Sequence, residues 1–457
     1  MTLPPNLSTI FRNAIDLNRY SNSVARRIIN QYNDIIIDSV NQLQTLDEQN
    51  APVKAARLRA ILAQLKESLA TWAGDSTEIT ALELQGLAEL QSEFVEEQLR
   101  LALPAGARDM VRSVEISPQF AQSVVTTDPT QINMVALSDD LFAAVEGAGA
   151  AAGAPSTFSL TARQGATITL PNGQVVEKAF RGLAVSQAER FSQVVRQGLL
   201  TGEPTADIAR RIRGSLEFGE EAKTVKQLAL AGGELTKAAN HQVVTLVRTS
   251  VNQVANEAAM RVYESNSDIT KKYKYVATLD SRTSAICRAL DGRVFEYGKG
   301  PKPPQHFNCR STIVSETDYE GLGFDPPRPG KRAAKGGMVD ADINYGQWLA
   351  NPIKGESKDQ HLLRKAEVFG FSGRRATYKR GDAEVKAGRA KAGDFKESAE
   401  AFYARVRQSP AGQKSRYFDL LARKHGARNA MAKLVREDGS ELTLAQLRSR
   451  YGAVKER

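Results

Sequence analysis

Two cysteines and four histidines in 457 residues leave little material for a disulfide framework or a ligand-rich metal cluster. Two cysteines allow one bridge at most, and a chain this long can bury the cores of two or three domains without covalent staples. No stretch approaches the 20 or so apolar residues of a transmembrane helix. The opening "MTLPPNLSTIFRNAIDLNRY" has neither the basic start nor the apolar run of a secretory signal. The expectation is therefore a product of a cytoplasm, with its thiols reduced and no membrane partner. Also missing are a Gly-x-x-x-x-Gly-Lys-Ser/Thr loop, a Gly-x-Gly-x-x-Gly turn after a strand and a paired catalytic carboxylate signature, which argues against an NTPase or a dehydrogenase. What is present, 41% hydrophobic and 25% charged residues, describes an ordinary globular chain.

The net charge of +10 is unevenly placed. Residues 331–457 hold 28 Lys and Arg against 15 Asp and Glu, a net of +13, so the other 330 residues are slightly acidic at −3. A neutral body with a basic C-terminal segment suits phosphate neutralisation on double-stranded DNA without sequence preference. The competing reading is a solvated basic face. The basic clusters are "GRRATYKR", with Arg374, Arg375, Lys379 and Arg380 around Tyr378, and "ARKHGAR", where Arg423, Lys424 and Arg428 are expected to share a helical face.

Periodicity sorts the rest. Leu17, Tyr20, Val24, Ile28, Tyr32 and Ile35 recur at helical spacing, as do Leu58, Ile61, Leu62, Leu65, Leu69 and Trp72, and then Leu84, Leu87, Leu90 and Phe94 before Pro104. Three long amphipathic helices are expected, forming a bundle or a docking arm within residues 1–146 that is separable from the later domains. "GAGAAAGAPS" places a flexible connector at 147–165. A core domain is expected over 166–323. It begins with a hairpin turning at Asn172-Gly173, and continues with helices around "SQAERFSQVVRQGLLTGEPTADIARRIRG" and a long helix over roughly 236–265 with Val247, Val251, Val254, Ala258 and Val262 as its buried stripe. Residues 273–318 then change character, with β-prone "YKYVAT", "RVFEY" and "RSTIVSE" broken by Asp-Gly and Pro-Pro turns. "FDPPRPGKRAAKGG" reads as exposed linker within 324–344, ahead of a mixed basic segment over 345–457 with helices near 397–408 and 414–425. The fold class is α+β, mainly α, with a small β-rich loop unit.

Half of the scarce residue types fall in that unit. Cys287, His306 and Cys309 are of the types that bind zinc, but three ligands are one short of a structural tetrahedron, and Asp280 or another group would have to complete it. The deaminase pattern of His-x-Glu with Pro-Cys-x-x-Cys is absent. A Cys–His pair can also activate a nucleophile, though nothing marks an oxyanion site. The expectation is a compact loop without metal or other cofactor. In it His306, Asn308 and Arg310 satisfy polar groups, His306 and Arg310 tie back to Asp280 or Asp291, and the cysteines pack as small hydrophobes.

The order of these pieces resembles the phage Mu F-like, or SPP1 minor-head-protein-like, head morphogenesis family over roughly residues 180–450. The resemblance is carried by a helical Arg-Thr pair (Arg248, Thr249), Thr-x-Asp-x-Arg-x-x-x-x-Cys (Thr278, Asp280, Arg282, Cys287), Leu-Asp-Gly (Asp291, Gly292) and Pro-Pro-x-His-x-Asn-Cys-Arg (His306, Asn308, Cys309, Arg310). It implies a non-enzymatic minor capsid protein of a tailed phage, in the head near the portal vertex, whose partners are the portal protein, other head proteins and DNA. The alternative it leaves open is such a domain carrying a C-terminal toxin enzyme, a nuclease or ADP-ribosyltransferase. Residues 353–433 offer that chemistry only His361 and His425 among histidines and no Arg…Ser-Thr-Ser…Glu-x-Glu order.

Overall fold

The structure, a computed structural model, describes residues 7–46, 51–116, 176–213, 234–327, 330–372 and 399–454. The expected hairpin at Asn172-Gly173, the connector at 147–165 and the cluster Arg374, Arg375, Lys379 and Arg380 lie outside them. The described part is mainly helical with small antiparallel sheets, as the periodicity predicts.

Two helices, not three, open the chain: α1 (Leu7–Gln44) and α2 (Ala51–Ala102). The second and third stripes belong to one 52-residue helix. Between the two stripes lies a polar middle, "GDST" at 74–77. The chain stays helical through it, with the Thr77 and Thr80 hydroxyls satisfied on the carbonyls of Ala73 and Ser76, four residues back. Asn13 meets Gln91, Tyr20 meets Glu83 and Trp72 meets Ile28, so α1 and α2 run antiparallel.

Both stripes are largely buried inside the chain; the exception is Leu90, which is 67% exposed on the outer side of α2. They share one core with α3 (Val176–Leu200), α4 (Thr205–Arg213) and α5 (Glu234–Ser265), in which Ile28, Tyr32, Leu65 and Trp72 pack with Phe180, Phe191, Ile208, Val243 and Val247. The Trp72 ring lies edge-on to Phe180 at 5.9 Å, and its Nε1 donates to the Ile28 carbonyl at 3.0 Å. The stripes that the sequence offers to an outside partner are thus occupied by the chain's own later helices, because the long apolar faces of α3 and α5 need the same cover.

The three β-prone pieces form one antiparallel sheet of order β2–β1–β3: β1 (Thr270–Val276), β2 (Val294–Glu296) and β3 (Thr312–Thr317). Tyr273 stands opposite Phe295 on one side and Ser315 on the other. Between β1 and β2 lies the short helix α6 (Ala285–Leu290), capped by Ser284. Tyr273, Tyr275 and Ile286 pack on Ala259, Met260 and Tyr263 of α5, so the sheet is anchored to the long helix.

The expected linker is structured. Lys331–Ala334 (β4) and Gly337–Asp340 (β5) pair as a hairpin, and Arg332 between exposed neighbours is itself buried. Basic, glycine-rich composition looks solvated in sequence; Arg332 goes inside because a buried carboxylate awaits it. A separate core comes next, of α7 (Tyr345–Ala350), α8 (Lys358–Val368), α9 (Ala399–Gln408), α10 (Pro410–His425), α11 (Ala427–Ala432) and α12 (Leu444–Tyr451), around Trp348, Leu363, Phe402, Phe418 and Leu434. Capping boxes at Asn344, Ser357 and Thr443 start α7, α8 and α12.

Candidate functional site

The motif residues converge where α5, α6 and the loop between β2 and β3 meet. α5 is two-faced there. Its apolar stripe enters the cores, while Thr245, Thr249, Asn252 and Asn256, at spacings of four, three and four, line a polar row toward the loop. Thr249 Oγ1 accepts from the Asn308 amide at 3.0 Å, and the Asn308 side chain donates to Thr245 Oγ1 at 3.0 Å. Asn252 donates to the Ser311 carbonyl at 2.9 Å, and Asn256 accepts from the Ile313 amide at 3.1 Å. The motif threonine and asparagine are therefore two ends of one contact. Asn308 sits at φ 58°, a left-handed turn that Asn tolerates better than most side chains.

Asp280 and Arg310 form a bidentate pair, with Nη1–Oδ2 at 2.7 Å and Nη2–Oδ1 at 2.8 Å. Burial would raise the Asp280 carboxyl, but the hydrogen bonds and charge of Arg310, with help from Arg282, outweigh it and hold it at about 2. Arg310 is raised in turn, chiefly by its hydrogen bonds to Asp280. Thr278 Oγ1 donates to the Arg310 carbonyl at 3.3 Å. Arg282 is exposed; its amide donates to Asp280 Oδ1 at 2.9 Å and its Nη2 lies 3.5 Å from Asp280 Oδ2.

Asp291 is wholly buried and surrounded by donors. These are the amides of Ala277 and Tyr345, both at 2.6 Å, and Arg332 through Nη2–Oδ1 at 3.1 Å and Nη1–Oδ2 at 3.2 Å. Gly292 follows at φ 79°, and a Cβ there would come within 2.9 Å of Asn344 Cβ. The Asp-Gly of the motif is thus a carboxylate that pins β1 to α7 and a turn that only glycine fits.

His306 corrects the sequence expectation: it reaches neither Asp280 nor Asp291. Its Nδ1 donates to the Phe307 carbonyl at 2.8 Å, which turns Nε2 toward Cys287 Sγ at 3.3 Å. Cys287 Sγ and Cys309 Sγ are 3.7 Å apart, both free and buried. Tyr275 Oη lies 3.2 Å from Cys287 Sγ. Burial raises the Cys287 thiol, with the neighbouring Cys309 adding to it. Burial would raise Cys309 too, but hydrogen bonds from Cys287 and His306 take it well below the usual thiol range. Asp280 is not in this group, so the carboxylate considered as a fourth metal ligand is committed to Arg310 instead.

Arg248 donates to Asn22 Oδ1 at 2.7 and 3.1 Å, tying the Arg-Thr pair to α1. With Arg282 and Arg310 it lines a cleft of about 300 Å³ that Cys309 and Asn308 also border. Burial, then the charges of Arg282 and Arg310, lower the Arg248 guanidinium.

Residues 189–314 match the family described as Phage Mu protein F like protein. The chain carries a Mu F-like domain. That span runs from within α3 into β3 and holds every residue that the motif order singles out, in agreement with the head morphogenesis family those motifs resemble. No curated protein and no solved structure matches the chain. Several groups that complete the Mu F-like domain's contacts lie outside the matched span: Asn22, Arg332 and Tyr345. Sequence reading assigned no role to these three or to Tyr275. The polar row on α5 was legible as four polar residues at helical spacing; nothing local marks Arg332.

Of the basic residues, Arg423, Lys424 and Arg428 are exposed. They do not share one helical face, because α10 ends at His425 and Gly426, at φ 79°, redirects the chain into α11. His361 is half-buried, with Nε2 donating to the Leu349 carbonyl at 2.8 Å. Among the described residues, no helix is long and apolar enough to cross a membrane.

Proposed function

We propose that this chain is a phage head morphogenesis protein: a minor, non-enzymatic component of a tailed-phage head, built in near the portal vertex, with its basic C-terminal segment touching packaged DNA. The observation that carries the reading is the family match over residues 189–314. The use made of the motif residues supports it. Asp280 is paired with Arg310, Asp291 with Arg332 and Thr249 with Asn308, so the chemically versatile groups act as internal ties that keep a small unit rigid. Charge-assisted bonds of that type contribute about 1.5–3 kcal/mol each, which suits a docking module with a small core of its own. Exposed Arg423, Lys424 and Arg428 lie in the part of the chain that carries the net +13.

The test is to delete the gene from a phage that encodes this chain, then analyse purified heads by quantitative mass spectrometry and cross-linking. The expected outcome is a few copies per wild-type head, cross-links to the portal protein, and defective particles from the deletion. Heads of normal yield and infectivity from the deletion, or wild-type heads free of the chain, would overturn it.

A further inference from the structure

We propose that Cys287, His306 and Cys309 hold a thiophilic divalent cation, zinc, and that this ion staples α6 to the β2–β3 loop. The proposal stands independently of the head-protein reading. The three side chains come from two segments nineteen or more residues apart, and their ligand atoms all lie within 4.8 Å of one another. A tetrahedral zinc site with Zn–S near 2.3 Å and Zn–N near 2.05 Å has S···S edges of about 3.8 Å and S···N edges of about 3.6 Å. The observed Sγ–Sγ spacing is 3.7 Å, and Cys287 Sγ to His306 Nε2 is 3.3 Å.

Two thiols in simple contact would sit equally far apart, so the sulfur spacing does not decide the matter. The histidine does. Its Nδ1–H is taken by the Phe307 carbonyl at 2.8 Å, so Nε2 is the nitrogen aimed at the sulfurs, and in the neutral ring that nitrogen carries the lone pair. A backbone carbonyl on the far nitrogen is the usual support of a metal-bound imidazole. Burial adds a second reason: Cys287 and Cys309 are 1% and 4% exposed, so a cation bound between them would be shielded from water on the sulfur side.

The loop geometry serves this convergence. The Cys309 amide bonds the His306 carbonyl at 3.2 Å, and the left-handed turn at Asn308 folds Cys309 back beside the histidine. Thr249 and Thr245 hold Asn308 from α5, so two ligands are set by the same turn that the helix clamps. Among the described residues no fourth Cys, His, Asp or Glu joins the group. The fourth ligand is exogenous, water in the free protein, reached from the cleft that Cys309 borders. The motif carboxylates Asp280 and Asp291 are both bound to arginines, which leaves neither free to act as a base on such a water, and the role of the ion is structural.

The experiment uses the full chain, expressed without a histidine tag and dialysed against metal-free buffer. Elemental analysis is expected to find about one zinc per chain, falling at least roughly tenfold in Cys309→Ser and His306→Ala. If those variants do not fold, the wild type still answers. Replacing zinc by cobalt should produce a thiolate-to-cobalt charge-transfer band and the intense visible absorption of a tetrahedral site. Three outcomes would overturn the proposal: wild-type protein with under about a tenth of a zinc per chain and no such band on adding cobalt; zinc content unchanged in Cys309→Ser; or a Cys287–Cys309 disulfide in protein kept under reducing conditions.

Discussion

Arg332 reaches 41 residues back along the chain to Asp291, and both side chains are closed to solvent, at 3% and 0% exposure. The pair ties the β4–β5 hairpin to the turn after α6, alongside the Lys335 amide on the Leu279 carbonyl at 2.8 Å, while the Asp291 carboxylate also holds the first amide of α7. The basic "linker" is thereby part of the wall of the Mu F-like domain.

Removing one partner of a buried pair strands the other charge, which typically costs about 3–5 kcal/mol. Arg332→Ala and Asp291→Ala are each expected to lose that much in urea or guanidinium unfolding. Lys331→Ala, one residue away in an exposed pair with Asp340, should change stability by less than about 1 kcal/mol. Equal, small effects at Arg332 and Lys331 would mean the pair does not hold the hairpin.

Asp280 sets a pH signature. Its carboxyl is held at about 2, below its ordinary 3.8, because the hydrogen bonds and charge of Arg310 prevail over burial. A folded-state value below the unfolded one stabilises the fold above the unfolded value, and that contribution fades as pH falls through the folded one. The part due to Asp280 should be complete above about pH 4 and lost toward pH 2. Asp280→Asn should therefore be less stable than wild type at pH 6, with the gap narrowing across that window in urea titrations. A gap that stays constant to pH 2 would exclude the ion pair as its source.

α1 and α2 are expected to be inseparable from the rest of the fold. Trp72 packs between Tyr32 and Phe180, so Trp72→Ala should cost about 3–5 kcal/mol through the cavity it leaves. A chain lacking residues 1–103 would expose the faces of α3 and α5 that these helices cover. It should be recovered aggregated, or bind a hydrophobic dye without near-ultraviolet circular dichroism. A soluble truncated chain with sharp aromatic dichroism would show instead that the N-terminal helices are a detachable arm.

DNA binding should follow salt. With about four phosphates neutralised, log K falls against log salt with a slope near −3.6, whatever the duplex sequence. Replacing exposed Arg423, Lys424 and Arg428 by Ala should flatten that slope, as should replacing Arg374, Arg375, Lys379 and Arg380. Fluorescence anisotropy across a salt series measures it, and binding indifferent to salt would assign the basic segment to protein contacts or to solvent.

What the sequence determined by itself is local. Apolar spacing placed α5 and the stripes of α1 and α2, and alternation with turn residues placed β1, β2 and β3. Gly292 falls at a left-handed turn, as its Asp-Gly pair predicts, whereas Asn308 was singled out by the family resemblance and its left-handed backbone is seen only in the fold. The tertiary structure decided partners. Arg332 rather than His306 meets Asp291, and His306 turns to the thiols. The N-terminal stripes cover α3 and α5, and Arg428 is turned off the helix of Arg423 by one glycine. The reason is physical: helix periodicity and turn preference act over a few residues, whereas a buried charge or apolar face is satisfied by whichever group the whole fold brings to it, at any distance along the chain.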